Sequence, residues 1–170
     1  MGISRLNHAV LYVRDIPRST AFYCDVLGFR VKTAMGDRAA FLVAPDSTND
    51  HDLGLFAIGT AAAESSAGRS TVGMYHLAWE LDTLDALEEH ARRLRAAGAL
   101  VGASDHGTTK SLYAKDPDGL EFEVVWIVPA DRLDEAAVEA GARILPLDLE
   151  KEKARYGGQT RGGVGISVPA

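Results

Sequence analysis

Two stretches of the chain carry the same run of apolar and polar positions. "NHAVLYVRD" (Asn7 to Asp15) and "YHLAWELDT" (Tyr75 to Thr83) each read as a histidine, an apolar strand, an acidic residue and the start of a helix. Aligning them sets His8 on His76, so the chain repeats itself after 68 residues. The first helix is signalled by Asp15 and Pro17 at its start, Ala21, Phe22 and Val26 inside, and Gly28 at its end. In the second, Leu84, Leu87, Ala91 and Leu94 share one face, Asp85, Glu88, Glu89, Arg92 and Arg93 cover the other, and Gly98 closes it. Three strand-like runs follow each helix: "FRVKTA", "RAAFLVA" and "HDLGLFAI", then "ALVGAS", "KSLYAK" and "LEFEVVWIV".

Each half is therefore a βαβββ module, and the fold class is α+β. A module of this kind has a curved sheet with a helix on one face and an open face opposite, so two half-barrels can pair around a pocket. The first module is expected at about residues 3–60, the second at about 71–128, within one domain of residues 1–128. The small, polar "AAAESSAGRS" (Ala61 to Ser70) joins them. Residues 129–170 lie outside the repeat as a C-terminal tail. It contains two short helical patterns, "DRLDEAAVEAGARIL" and "LDLEKEKARYG", expected to pack on the outside and to carry no chemistry. Five glycines among the last 14 residues suggest a mobile end.

Composition narrows the partners. A chain of 170 residues with 46% hydrophobic and 25% charged positions is an ordinary globular length and balance, which favours neither a disordered nor a membrane class. A formal charge of −6 without a Lys/Arg stripe argues against nucleic acid, whose binding rests on neutralised phosphates. Small neutral or aromatic ligands suit it better. Cys24 is the single cysteine, so neither an intrachain disulfide nor a thiolate metal cage can form, and helix packing is its expected role. The N-terminal "MGISRLNHAV" has no signal-peptide or myristoylation pattern, which makes a cytoplasmic location the default expectation.

Candidate chemistry enters with "KSLYAKDPDGLEFEVVW" (Lys110 to Trp126), where Glu121 and Glu123 interrupt a core-like strand. A carboxylate in such a strand needs a solvated face or a cation. A lone strand histidine is more often a hydrogen-bonded core residue than a ligand, but two at one position of a repeat reverse that balance. His8, His76 and Glu123 together form the two-histidine, one-carboxylate set expected for non-heme iron(II), with open coordination positions left over.

The doubled module and the "DPDG" turn (Asp116 to Gly119) resemble the vicinal oxygen chelate superfamily of glyoxalases, bleomycin resistance proteins and dioxygenases. Within it the chain is most similar to the single-domain type I extradiol catechol dioxygenases. The resemblance covers about residues 3–128. It implies a metal held by His8, His76 and Glu123, the glutamate four residues after the turn glycine being chosen over Glu121. Asp116 and Asp118 are then turn formers. "NDHDLGLF" resembles the dioxygenase segment with the acid/base histidine, here His51, and "DHGTTKSLY" the segment whose histidine and tyrosine contact substrate oxygens, here His106 and Tyr113. Leu120 stands where an asparagine is common in the family, and Asp50 precedes His51 where another histidine is usual.

The implied activity is ring cleavage of a catechol beside its two hydroxyls by dioxygen, as in aromatic-compound catabolism, with Fe(II) as the cofactor and Mn(II) fitting the same donors. Other readings of the superfamily stay open: a glyoxalase-like enzyme, a fosfomycin-type thiol transferase, or a non-catalytic drug-binding resistance protein. "LGLFAI" lacks the fourth ligand of the glyoxalase I pattern, no cationic phosphonate cradle is visible, and a binding protein would have apolar residues at the three ligand positions. The bond cleaved, the catechol's substituents and the oligomer, a homodimer included, are left open.

Overall fold

In the computed structural model, which describes residues 2–3, 5–68, 70–141, 143–163 and 166–167, all eight strand-like runs form strands. The chain divides into two units, residues 1–65 with 116–119 and residues 66–115 with 120–170. The division at Ser65 falls inside the small, polar stretch that joins the two repeats.

The first unit runs β1 (Ala9–Val13), α1 (Ile16–Asp25), β2 (Arg30–Ala34), β3 (Ala39–Val43) and β4 (Leu53–Ala57). Its sheet has the order β1-β4-β3-β2, with β1 parallel to β4 and the other pairs antiparallel. Strand alternation turns Leu11 and Val13, Ala40 and Leu42, and Leu53 and Leu55 inward, where all are buried with Ile16 and Tyr23 of α1. Burying each such leucine contributes about 1.5–3 kcal/mol. The opposite face stays open: Val10 is 51% and Tyr12 71% exposed.

Helix α1 starts where Asp15 accepts a hydrogen bond from the Arg18 amide (2.7 Å), with Pro17 in its first turn. Of the residues expected inside the helix, Ala21 and Phe22 lie in it and Val26 is its C-cap, while its buried face is Ile16, Ser19 and Tyr23. On that face Tyr23 donates its hydroxyl to Asp116 Oδ2 (3.1 Å). Burial, then the Asp116 charge, holds that phenol well above its ordinary pKa, so it remains a donor.

The DPDG turn thus belongs to this unit. Asp116 does act as a turn former, accepting the Asp118 amide (2.9 Å). Asp118 does more: it accepts the Arg14 amide (2.9 Å) and pairs with the guanidinium groups of Arg14 (3.1 Å) and Arg18. Burial raises the Asp118 pKa, but these partners outweigh it and hold the carboxyl below its usual range.

The second unit repeats the order: β5 (Leu77–Glu80), α2 (Leu84–Ala96), β6 (Leu100–Asp105), β7 (Thr109–Lys115) and β8 (Glu121–Ile127) form the sheet β5-β8-β7-β6. Thr83 caps α2, and Leu84, Leu87, Ala91 and Leu94 are fully buried as their spacing requires. Phe122, Val124 and Trp126 share the inward face of β8, which leaves Glu121 and Glu123 on the open one.

Two short helices follow, α3 (Glu135–Ala140) and α4 (Leu149–Tyr156). The tail is not an inert wrapping. Lys110 of β7 faces inward with no exposed surface, Glu152 of α4, itself 1% exposed, forms an ion pair with it at 2.9 Å, and Asp105 accepts the ammonium's hydrogen bond. A buried ammonium needs such partners. Lys153 pairs with Asp85 (2.9 Å) and Glu88 (2.7 Å) on α2. The expected mobile end is tied down as far as Gly163: Trp126 Nε1 donates to the Thr160 carbonyl (3.2 Å) and the Gly162 amide to the Asp82 carbonyl (2.8 Å). Gly165 lies outside the described residues.

Candidate metal centre

His8 and His76 each stand one residue ahead of a strand, β1 and β5, rather than inside it. His8 belongs to the first unit, and His76 and Glu123 to the second. Among the described residues, neither unit by itself gathers three His, Cys, Asp or Glu side chains as a metal-holding group.

In the first unit the His8 and His51 rings lie 4.4 Å apart between centroids, tilted by 40°. His8 Nδ1 is 2.8 Å from Asn7 Oδ1, and His51 Nδ1 is 3.0 Å from Asp50 Oδ2. Both oxygens can only accept, so each neutral ring carries its proton on Nδ1 and keeps a lone pair on Nε2. That lone pair is what a metal ligand or a proton acceptor needs. Asp50 is also paired with Lys32 of β2. The Lys32 and His51 hydrogen bonds lower the Asp50 pKa, so it is ionised at neutral pH. Phe41 meets the His51 ring edge-on at 5.0 Å. Asp52, whose carboxyl burial pushes up but bonds from Ala44, Ser47 and Asn49 bring below the ordinary range, anchors the loop leading into β4.

In the second unit His76 Nε2 lies 3.1 Å from Glu123 Oε2. Ligand bonds of about 2.1 Å at right angles put neighbouring donors about 3 Å apart, so this spacing suits two donors of one cation. His76 Nδ1 is buried without a hydrogen-bond partner among the described residues. Glu123 sits in a row across the open face with Ala78 on one side and Tyr113 on the other. The Tyr113 ring lies 5.8 Å from that of His76. The donor set therefore fits a divalent cation, with one imidazole and one carboxylate ready in this unit.

His106 Nε2 lies 3.1 Å from the Tyr113 hydroxyl and 2.8 Å from Ser104 Oγ, while Nδ1 faces the Arg143 carbonyl at 3.2 Å. A carbonyl only accepts, so Nδ1 holds the proton and Nε2 is the acceptor facing the Ser104 and Tyr113 hydroxyls. The tail thus sets the tautomer of a candidate site residue. It also closes on the loop itself: Gly107 has φ +73°, and a Cβ there would collide with the Ala137 carbonyl of α3. Sequence reasoning missed Ser104, Arg143 and Asp50 as partners of the histidines. Only Asp50 left a signal, as the departure beside His51.

The chain belongs to the Glyoxalase/Bleomycin resistance protein/Dioxygenase superfamily, whose family model matches residues 5–124. It is 33% identical over 121 residues to a catechol-2,3-dioxygenase of Bacillus subtilis, an alignment covering 71% of this chain and 41% of that protein. It is 34% identical over 122 residues to biphenyl-2,3-diol 1,2-dioxygenase 3 of Rhodococcus globerulus, covering 71% of this chain and 62% of that one. The chain therefore spans about half the length of these relatives. Among solved structures, a glyoxylase/bleomycin resistance protein/dioxygenase domain from Frankia matches with a TM-score of 0.65 at 20% identity, over 78% of this chain and 98% of that one, which shows the fold.

Proposed function

We propose that this protein opens catechol rings beside the two hydroxyls with dioxygen, using iron(II) held by His8, His76 and Glu123. The observation that carries the reading is Glu123 on the open face of its sheet, 3.1 Å from His76 and paired across strands with Tyr113. The similarity to two named dioxygenases of vicinal diols supports the same class of substrate. Manganese(II) suits the same donors.

A divalent cation held by these residues would supply Lewis acidity that stabilises the deprotonated diol. The protein groups do the rest. His51, with Nδ1 tied to Asp50, offers Nε2 to take a substrate proton and return it. Tyr113, its hydroxyl held beside His106 and Ser104, presents its phenol oxygen to a hydroxyl of the substrate and fixes its orientation. Phe41 and Phe56, edge to face at 5.8 Å on the open side of the first sheet, give an aromatic ring an apolar wall.

The test is anaerobic loading with ferrous iron, then a panel of catechols in air, followed by the yellow ring-opened product and an oxygen electrode. Equimolar oxygen uptake and product formation support the reading. Iron bound tightly with no oxygen uptake across the panel would overturn it in favour of an oxygen-independent reaction.

A further inference from the structure

His8 and His51 reach the same place from different segments, and neighbouring residues hold both. Asn49 Nδ2 donates to the Asn7 carbonyl (2.7 Å) and to Asp52 Oδ1 (2.7 Å). The Asp52 carbonyl accepts the Ala9 amide (3.0 Å), and the Asp52 amide donates to the Leu42 carbonyl (2.9 Å). The residues on either side of His8 are thus bonded to Asn49 and Asp52, which bracket His51.

The orientation of the Asn49 amide is dictated by its neighbours. Both of its partners are acceptors only, so the nitrogen must face them, and Oδ1 is left buried without a hydrogen-bond partner among the described residues. A buried acceptor left unpaired opposes folding. The amide is nonetheless held, by two short bonds, where it spans the His8 segment and the His51 loop. Ser47 serves a different part of the cluster: its hydroxyl donates to Asp52 Oδ1 (2.7 Å) and accepts the Asn49 amide N–H (3.1 Å), without touching the His8 segment.

We infer that Asn49 and Asp52 are positioning residues that fix the His8 and His51 rings against each other, and so set a metal-ligand nitrogen at a constant distance from the acid/base nitrogen. The roles of the two histidines rest on the proposed function; their mutual placement does not. A ligand histidine oriented through its flanking backbone resembles one oriented through an outer-shell hydrogen bond, where loss of the partner costs 10 to 100-fold in metal affinity.

The experiment uses the full chain, metal-free, with nuclear Overhauser contacts read between the ring protons of His8 and His51. The wild type shows the contact. Asn49→Ala loses it while the amide spectrum keeps its dispersion, and its ferrous affinity falls about 10 to 100-fold. Asn49→Asp, the same size without amide donors, behaves alike and serves should the alanine variant fold poorly. Ser47→Ala keeps both the contact and the affinity. An intact contact in Asn49→Ala, or an equal loss in Ser47→Ala, overturns the inference, the second because the cluster then only stiffens a loop. No catechol enters this measurement, so a wild type that binds iron but opens no ring sinks the proposed reaction and leaves the positioning result to be judged by itself.

Discussion

The two sheets have one strand order and one pairing scheme, yet the row across the middle of each open face differs. In the first it reads Val10, Gly54, Phe41; in the second, Ala78, Glu123, Tyr113. Gly54 stands where Glu123 stands. A Cβ there would already be 3.3 Å from Val10 Cγ2 and 3.7 Å from the Phe41 ring, so apolar neighbours fill the space a ligand side chain would use. The inward faces keep the repeat alive as a fold, and the outward faces divide the chemistry unequally. One sheet offers imidazoles and an aromatic wall, the other an imidazole, a carboxylate and a phenol.

The largest effect should come from removing that asymmetry at its acidic end. Glu123→Gln is expected to lose most bound metal and all turnover, whereas Glu121→Gln, two residues earlier on the same face, keeps both. Metal analysis of the two purified variants decides it, and equal retention would mean the wrong carboxylate. Next comes the first sheet's contribution. His51→Gln should retain iron and catechol binding but lose about 100 to 10,000-fold in turnover, the usual cost of a positioned acid/base group. Wild-type turnover in this variant would reduce His51 to a loop residue.

Each unit also buries one acid borrowed from a distant stretch of chain, and these two acids make the comparison thermodynamic. Glu152→Gln leaves the Lys110 ammonium with Asp105 alone and should destabilise the protein by about 3 kcal/mol, read as a lower urea midpoint. Lys110→Met combined with Glu152→Leu should recover most of that loss; failure to recover would show that packing, not charge, explains it. In the first unit, Asp118→Asn should cost less, about 1–2 kcal/mol, because Arg18 is half exposed and water screens its charge. Asp118 has its lower pKa in the folded state. Its contribution is therefore whole above the unfolded value, about 3.9, and disappears as pH falls through the folded one. The gap between wild type and Asp118→Asn should narrow from pH 7 toward pH 2, and a constant gap would point to lost packing. Smallest of all is Gly54→Ala, since the half-exposed Val10 can yield: stability within about 0.5 kcal/mol of wild type is expected from the same urea curves.

Most of this architecture was legible because alternation and helical spacing act locally. Leu84, Leu87, Ala91 and Leu94 had to share a face, and Phe122, Val124 and Trp126 had to point away from Glu123. Helix α1 was placed from its ends, but that Tyr23 is bonded to Asp116, 93 residues later, could not be read from a short and weakly patterned sequence. The tail was undervalued for a similar reason. Nothing near Glu152 announces that its partner is a lysine in β7, and nothing near Arg143 announces that its carbonyl faces His106. For the site, residue types and spacing against a known motif suggested the histidines and Glu123, and the structure supplies what spacing cannot: which acceptor each of His8, His51 and His106 faces.

The turn at Asp116 to Gly119 has a consequence for the timing of synthesis. A ribosome finishes the four strands of the first unit by Ala57, but Tyr23, Arg14 and Arg18 have no Asp116 or Asp118 to bind until the chain is twice that long. At roughly 5 to 20 residues per second, the nascent unit waits several seconds with its helix only half tied down. Lys110 waits again, for Glu152. The chain is read from one end, but neither half is finished until residues from a later stretch arrive, so between Ser65 and Asp116 the first half is held by its own strands and helix without these bonds.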